Sequence, residues 1–130
     1  MRRAILLVAL TAGLASAQSF QNLSDASGTA NRGLYCTNLA WGDYDGDGNL
    51  DLYATNWGTA VSSNTVNALY HNEGNGSFTN QAVAAGVDNN KNSTAAAFAD
   101  YDNDGDLNLY VADFYDQDFL YQNDGDDTFT

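Results

Sequence analysis

The sequence predicts an all-β chain of about two four-stranded propeller blades, a fragment of a larger ring. Three observations carry this reading. A long block recurs at a fixed offset, the recurring blocks alternate apolar and polar residues, and turn-forming residues separate the alternating runs.

Residues 1–17 stand apart from this pattern. Met1-Arg2-Arg3 is a short basic start, and Ala4 to Ala15 is almost wholly apolar. A run of about a dozen residues is too short for a membrane span, which needs roughly 20. Ala15-Ser16-Ala17 supplies small residues where a signal peptidase reads, so residues 1–17 are read as a secretory signal peptide cleaved after Ala17. No later apolar run could cross a bilayer. Residues 18–130 are then expected to work outside the cell or on its surface.

The composition narrows the function further. Seventeen acids against four bases give a formal net charge of −13. Nucleic acid is not an expected partner, because affinity for phosphates rests on Lys and Arg. Cys36 is the single cysteine, which excludes an intramolecular disulfide and suggests a small buried thiol.

The repeat is explicit. Trp41–Tyr53 recurs 57 residues later as Phe98–Tyr110, and Leu69–Gly74 recurs 51 residues later as Leu120–Gly125. Phe20…Gly28 recurs 58 residues later as Phe78…Gly86. Phe129-Thr130 repeats Phe78-Thr79, where the sequence stops in mid-unit, the reason a fragment is expected. Each unit then reads as a blade. Thr37 to Gly42 is one strand. Leu50, Leu52 and Ala54 alternate with Asp51, Tyr53 and Thr55, which gives a second strand with one buried face, and Leu107, Leu109 and Val111 repeat it. Ala68 to Asn72 is a third strand and Ser77 to Gln81 a fourth, joined by the turn Glu73-Gly74-Asn75-Gly76. Gln81 to Ala85 could form a single helical turn. Four strands per unit is the size of one propeller blade.

The chemistry sits in the two acidic loops. Asp43-x-Asp45-x-Asp47-Gly48-x-x-Asp51 places four carboxylates in nine residues. Alternate residues on a tightly curved loop aim their oxygens at one point, and glycine at the sixth position lets the ninth residue return. A set of hard oxygen donors suits calcium, which takes 6–8 oxygens, and the carbonyl of Asn49 adds one more. Two carboxylates about 5 Å apart repel by roughly 3 kcal/mol at an effective dielectric near 20, so four converging without a cation would be hard to fold. No Cys or His is expected near enough to make zinc plausible. An EF-hand shares the first six positions. It fails at position twelve, where its bidentate glutamate is replaced by Ala54 and Val111, and in its flanks, which carry strand periodicity.

On the blocks Trp41 to Asn56 with Leu69 to Gly86, and Phe98 to Asp113 with Leu120 to Thr130, the sequence resembles FG-GAP/VCBS repeats. These are the blades of integrin α-subunit-type β-propellers, in a version found in cartilage acidic protein-like secreted proteins. The resemblance implies calcium at the hairpin between the first two strands of each blade. Carried over to this sequence, the ligands are Asp43, Asp45, Asp47 and Asp51 with the Asn49 carbonyl, then Asp100, Asp102 and Asp104 with the Asp106 carbonyl and Asn108. Asn108 departs from the usual aspartate and brings an oxygen without a charge.

The remaining polar and aromatic residues read as structural. His71 corresponds to Gln122 and is read as an outward strand residue, not a catalytic base. Trp41 and Phe98 share one repeat slot and are read as core, and Asp113, Asp116 and Asp118 as a solvated loop. No nucleophile–base pair and no acid–base pair outside the acidic loops is visible, so the chain is not expected to be an enzyme. The function expected is a calcium-stabilised, secreted or surface module for binding or adhesion, with an extracellular protein or a glycan as ligand. The alternative is the non-catalytic N-terminal part of a larger secreted enzyme acting on glycans or lipids.

Overall fold

The computed structural model describes residues 21–31, 34–57 and 66–130. The proposed signal peptide lies outside them. The described residues form two antiparallel sheets and one helical turn, α1 (Ser24–Ser27). The first sheet has the order β1 (Tyr35–Gly42), β2 (Asp51–Trp57), β3 (Ala68–Asn72), β4 (Phe78–Asn80). The second has the order β5 (Ser93–Ala99), β6 (Asn108–Asp113), β7 (Phe119–Tyr121). All neighbours are sequential, as hairpin connections require. The chain is all-β, with the strand order of propeller blades.

The repeat extends to detail. Both first strands carry a register shift at the same place, between Cys36 and Asn38 and between Ser93 and Ala95. In the second unit a fourth strand begins: Asn123 bridges Phe129, and Gln122 and Thr130 exchange backbone hydrogen bonds, where His71 pairs with Thr79 in the first. The helical turn also recurs. Ser27 N donates to Leu23 O and Ala85 N to Gln81 O, and each turn ends on a left-handed glycine, Gly28 (φ 88°) or Gly86 (φ 78°). A Cβ on Gly28 would meet the Phe78 carbonyl oxygen at 2.5 Å, and one on Gly86 the Phe129 oxygen at 3.1 Å. Each turn is thus seated against the fourth-strand phenylalanine of its own unit.

The main core lies between the sheets. Ala40, Tyr53 and Leu69 of the first sheet face Leu109 and Val111 of the second, with Val87 and Phe129 closing the cluster. Tyr53 is fully buried, and its hydroxyl donates to the Val87 carbonyl at 2.8 Å, which satisfies the one polar atom it carries inward. Polar ties join the sheets at one end: Thr37 Oγ1 donates to Ser93 O (2.6 Å) and Asn67 Nδ2 to Ser93 Oγ (2.8 Å).

Three expectations need correction here. β2 is buried on both faces, not one: Leu52 and Ala54 join Ala68 and Tyr70 in a second cluster, with Phe78 packed against it. Trp41 is not core but 54% exposed, touching Phe78 edge-on, because no second sheet covers that face; its counterpart Phe98 packs against the main core. Cys36 is exposed, since it sits at the bulge of an edge strand.

The outer face of the second sheet is the counterpart of a buried one. Tyr110 (43% exposed) and Leu120 (56%) occupy the repeat positions of Tyr53 and Leu69, both 0%. Identical residues therefore carry different weights. Leu69→Ala is expected to cost about 2–5 kcal/mol, as for a buried leucine that leaves a cavity, and Leu120→Ala less than about 0.5 kcal/mol, as for a surface change. Urea unfolding of the two variants checks this; equal losses would contradict the assigned core.

Candidate metal centre

The first acidic loop joins β1 to β2, and the second joins β5 to β6. Both are shaped by the same local hydrogen bonds. Asp43 Oδ2 accepts from Gly48 N at 3.0 Å, and Asp100 Oδ2 from Gly105 N at 3.2 Å. Asp47 Oδ1 accepts from Asn49 N at 2.7 Å, and Asp104 Oδ1 from Asp106 N at 3.0 Å. The first and fifth positions thus fold the loop around themselves. The glycine at position six has φ of 91° in one loop and 104° in the other, the left-handed bend the spacing called for. Position four is also left-handed, at Gly46 (72°) and Asn103 (61°), a demand the reading of the sequence missed. Its signal was the residue pair itself, since asparagine is the commonest non-glycine residue in that conformation.

Three carboxylates of each loop converge; the fourth expected in the first loop, Asp51, groups instead with Asp45 and His71. One oxygen each from Asp43, Asp45 and Asp47 lies within 4.8 Å of the others, and so it is for Asp100, Asp102 and Asp104. Asp43 Oδ1 is buried with no hydrogen-bond partner. Leaving such an acceptor unpaired costs about 1–3 kcal/mol, more for a charged group, so the loop holds an oxygen that fits a cation. Three carboxylate oxygens so close together suit a hard divalent ion.

Position nine separates the loops. Asp51 is fully buried. Its Oδ2 accepts from Tyr44 N (3.2 Å) and its Oδ1 from Asn72 N (2.8 Å), so it ties the loop to β3. Burial raises its pKa, against the lowering by these two donors. Burial likewise raises Asp45, while hydrogen bonds from Asn49 lower the exposed Asp47. In the second loop Asn108 Oδ1 accepts from Asn123 N at 2.8 Å. That backbone donor fixes which end of the amide is oxygen. The other end, Nδ2, donates to Asp102 Oδ1 at 3.2 Å. Asn108 therefore turns a donor toward its loop where Asp51 turns an acceptor.

The loops also differ in setting. Tyr44 is buried against Phe129 of the second unit, and its carbonyl accepts from Asn123 Nδ2 at 2.8 Å. Tyr101, its counterpart, is half exposed. Residues 58–111 match the profile of the FG-GAP-like repeat. That stretch is similar to the repeat of this family. The matched stretch contains β5, the second loop and the first four residues of β6. No curated protein is significantly similar to the chain.

Outside the two acidic loops, Asp113, Asp116 and Asp118 do not converge on one point, although Asp113 N donates to Asp118 Oδ1 at 3.0 Å. Asp118 accepts from the Tyr110 hydroxyl at 2.6 Å, which lowers its pKa, Asp116 lies 3.5 Å from Lys91 Nζ, and Asp113 Oδ2 accepts from Asn89 Nδ2. His71 is a further correction. It is not an outward residue: its Nδ1 lies 3.0 Å from Asp45 Oδ2 and 3.5 Å from Asp51 Oδ1. The expectation that no histidine approaches the first loop fails, because β3 pairs with β2 and brings residue 71 across the sheet to the loop.

The sequence reading also left the lock formed by Asn72 and Asn123 unassigned, though both stood in the repeated block. Each side-chain oxygen accepts from a glycine N–H two residues on, Gly74 or Gly125. Each Nδ2 donates to the carbonyl before position nine, Leu50 or Leu107. Asn123 alone reaches Tyr44 as well. Asn123→Ala is therefore expected to cost about 1–3 kcal/mol, because a buried carbonyl loses its donor, and Asn72→Ala about half as much. Denaturant unfolding of both variants decides it; a larger loss at Asn72 would count against the bridge between units.

Proposed function

We propose that this chain is a calcium-stabilised, non-catalytic β-propeller module of a secreted or cell-surface protein, binding an extracellular protein or glycan. The observation that carries the reading is the pair of acidic loops at equivalent repeat positions, each converging three carboxylates. FG-GAP repeat domains are generally non-catalytic, which agrees with the absence of an expected nucleophile–base pair. The basic, apolar start of the sequence supports export.

In this reading Asp43, Asp45, Asp47 and Asp51 with the Asn49 carbonyl hold one ion. Asp100, Asp102 and Asp104 with the Asp106 carbonyl hold the other, and Asn108 orients the loop. Calcium supplies the positive charge that lets several carboxylates share one small volume. The chain's own part is to fix the hairpin, so that the next two strands leave it in register. At about 1 mM calcium, extracellular-type sites with dissociation constants of ~10⁻⁴–10⁻³ M stabilise the fold by roughly 0.4–1.4 kcal/mol each. A chelator is expected to lower the melting temperature, and magnesium to restore it poorly, since it demands a smaller octahedron. An unchanged melt on chelation rejects the metal reading.

The sign of the pH dependence follows from burial. Asp45 and Asp51 hold protons more tightly in the fold than in the unfolded chain. Without metal, these two groups add stability at low pH that is lost as pH rises from the unfolded value of 3.8 through their raised folded values. Metal must displace those protons, so calcium affinity at the first loop is expected to rise with pH across that window and level off above it. Calorimetric titration at several pH values measures this; flat affinity would remove Asp45 and Asp51 from the ligand set.

Asn108→Asp offers a sharper test. It removes the Nδ2 donor to Asp102 and adds a charge. Without calcium the variant is expected to melt below the parent chain, and calcium should then raise it by more than it raises the parent. Affinity at the second loop should tighten about fivefold, roughly 1 kcal/mol, on the scale of a charge-assisted contact. Unchanged or weaker binding would mean that position nine does not meet the ion there.

A further inference from the structure

His71 has no part in the calcium reading, yet its buried Nδ1 atom makes no well-aligned hydrogen bond and meets carboxylates only at ion-pair distance. It faces two carboxylates from the opposite side of the loop, Asp45 at 3.0 Å and Asp51 at 3.5 Å. All three donor atoms lie within 4.8 Å of one another. Donors bound to one ion at about 2.0–2.2 Å stand roughly 3.0–3.5 Å apart, along an octahedral or tetrahedral edge. The observed spacings from His71 match that edge.

The donors are also held in place. Asp51 is pinned by two backbone N–H groups, and His71 is fixed by its position on β3 and by an edge-on contact with Tyr44 at 6.3 Å. Imidazole with carboxylates suits ions of the zinc type, whereas calcium prefers oxygen throughout. A cleft of about 350 Å³ opens beside Asp45 and His71 and gives solvent a way to a remaining ligand position. The second unit has Gln122 in the place of His71, so the arrangement is confined to the first.

We propose that Asp45, Asp51 and His71 form a mixed nitrogen–oxygen site for a zinc-type divalent transition ion, unique to the first repeat. The proposal rests on the reading of this loop as a metal loop. It shares Asp45 and Asp51 with the calcium set, so the two ions compete.

The test titrates the whole chain, carrying Cys36→Ser to remove the exposed thiol, with zinc chloride and separately with calcium chloride by calorimetry. Zinc is expected to bind more tightly than calcium, and calcium to be displaced from the first loop. His71→Gln, which copies Gln122, should weaken zinc at least tenfold and change calcium less than twofold. Retained zinc affinity in His71→Gln, or equal loss of both ions, overturns the proposal; the second result marks His71 as a structural support. Cobalt(II) provides a check without that variant: the Cys36→Ser chain should develop the intense visible absorption of a low-coordinate site, and the pale spectrum of the aqua ion would reject it. Calcium binding without zinc binding sinks this proposal alone. Zinc binding without calcium binding sinks the calcium reading and leaves this one standing.

Discussion

A buried side-chain oxygen at the ninth position of each acidic loop accepts the backbone N–H that starts the following hairpin turn. Asp51 takes it from Asn72, and Asn108 from Asn123. This one bond joins the loop between the first two strands to the end of the third. The reciprocal bonds from Asn72 and Asn123 to the carbonyls of Leu50 and Leu107 close the link. The return of the loop's ninth residue and its attachment to the third strand depend on it, while positions one and five curve the loop locally. An oxygen, not a charge, is the requirement, so aspartate and asparagine both satisfy it and the loops can diverge in charge while keeping one shape.

That divergence has a physical logic. In the first loop, position nine is an acid, and burial holds the pKa of Asp45 and Asp51 up because nothing within the chain neutralises them fully. In the second, the Asn108 amide reaches Asp102 and supplies part of the compensation from within. Surroundings reinforce the contrast. The second unit covers Tyr44 and thereby lowers the local dielectric around the first loop, whereas Tyr101 stays half exposed. Electrostatic interactions strengthen as water is excluded, so the first loop, with Tyr44 and Asp51 buried, has more to gain from a cation than the exposed second one.

Much of this was legible in the residues. Period-two alternation located β2 and β6, the Gly-Asn-Gly turn located the β3–β4 hairpin, and the repeat offset carried each assignment to the second unit. The Asp-x-Asp-x-Asp-Gly spacing gave the convergence of the first three acids, because that geometry is local to six residues. What was not legible depends on which face meets another sheet. The alternation in β2 promised one buried face, yet both are covered: Leu52 and Ala54 pack on Tyr70 and Phe78 within their own sheet, and Tyr53 on the other face packs with Leu109 and Val111 of the second sheet. Trp41 and Phe98 share a repeat slot and differ in burial for the same reason. Cross-strand pairing was equally out of reach. His71 lies twenty residues beyond Asp51, and only the register of β2 with β3 brings it to the loop.

Repeats that keep a framework and vary a few contact positions can differ in chemistry without differing in fold. Between the two units here, the positions that shape the loop are held: the acids at one, three and five, glycine at six, and the asparagine lock. The positions that meet the loop's interior from outside its first six residues are exchanged, Asp51 for Asn108 and His71 for Gln122. These exchanges change charge and donor atom but not volume by much, so packing tolerates them at a cost of tenths of a kcal/mol to about 1 kcal/mol. The acids that curve the loop are constrained by their own backbone bonds, while the residues that approach from neighbouring strands are free to set which ion, if any, the curved loop prefers. Specialisation is therefore expected at the positions outside the loop's first six residues, and Asn108 and His71 are where the two units differ.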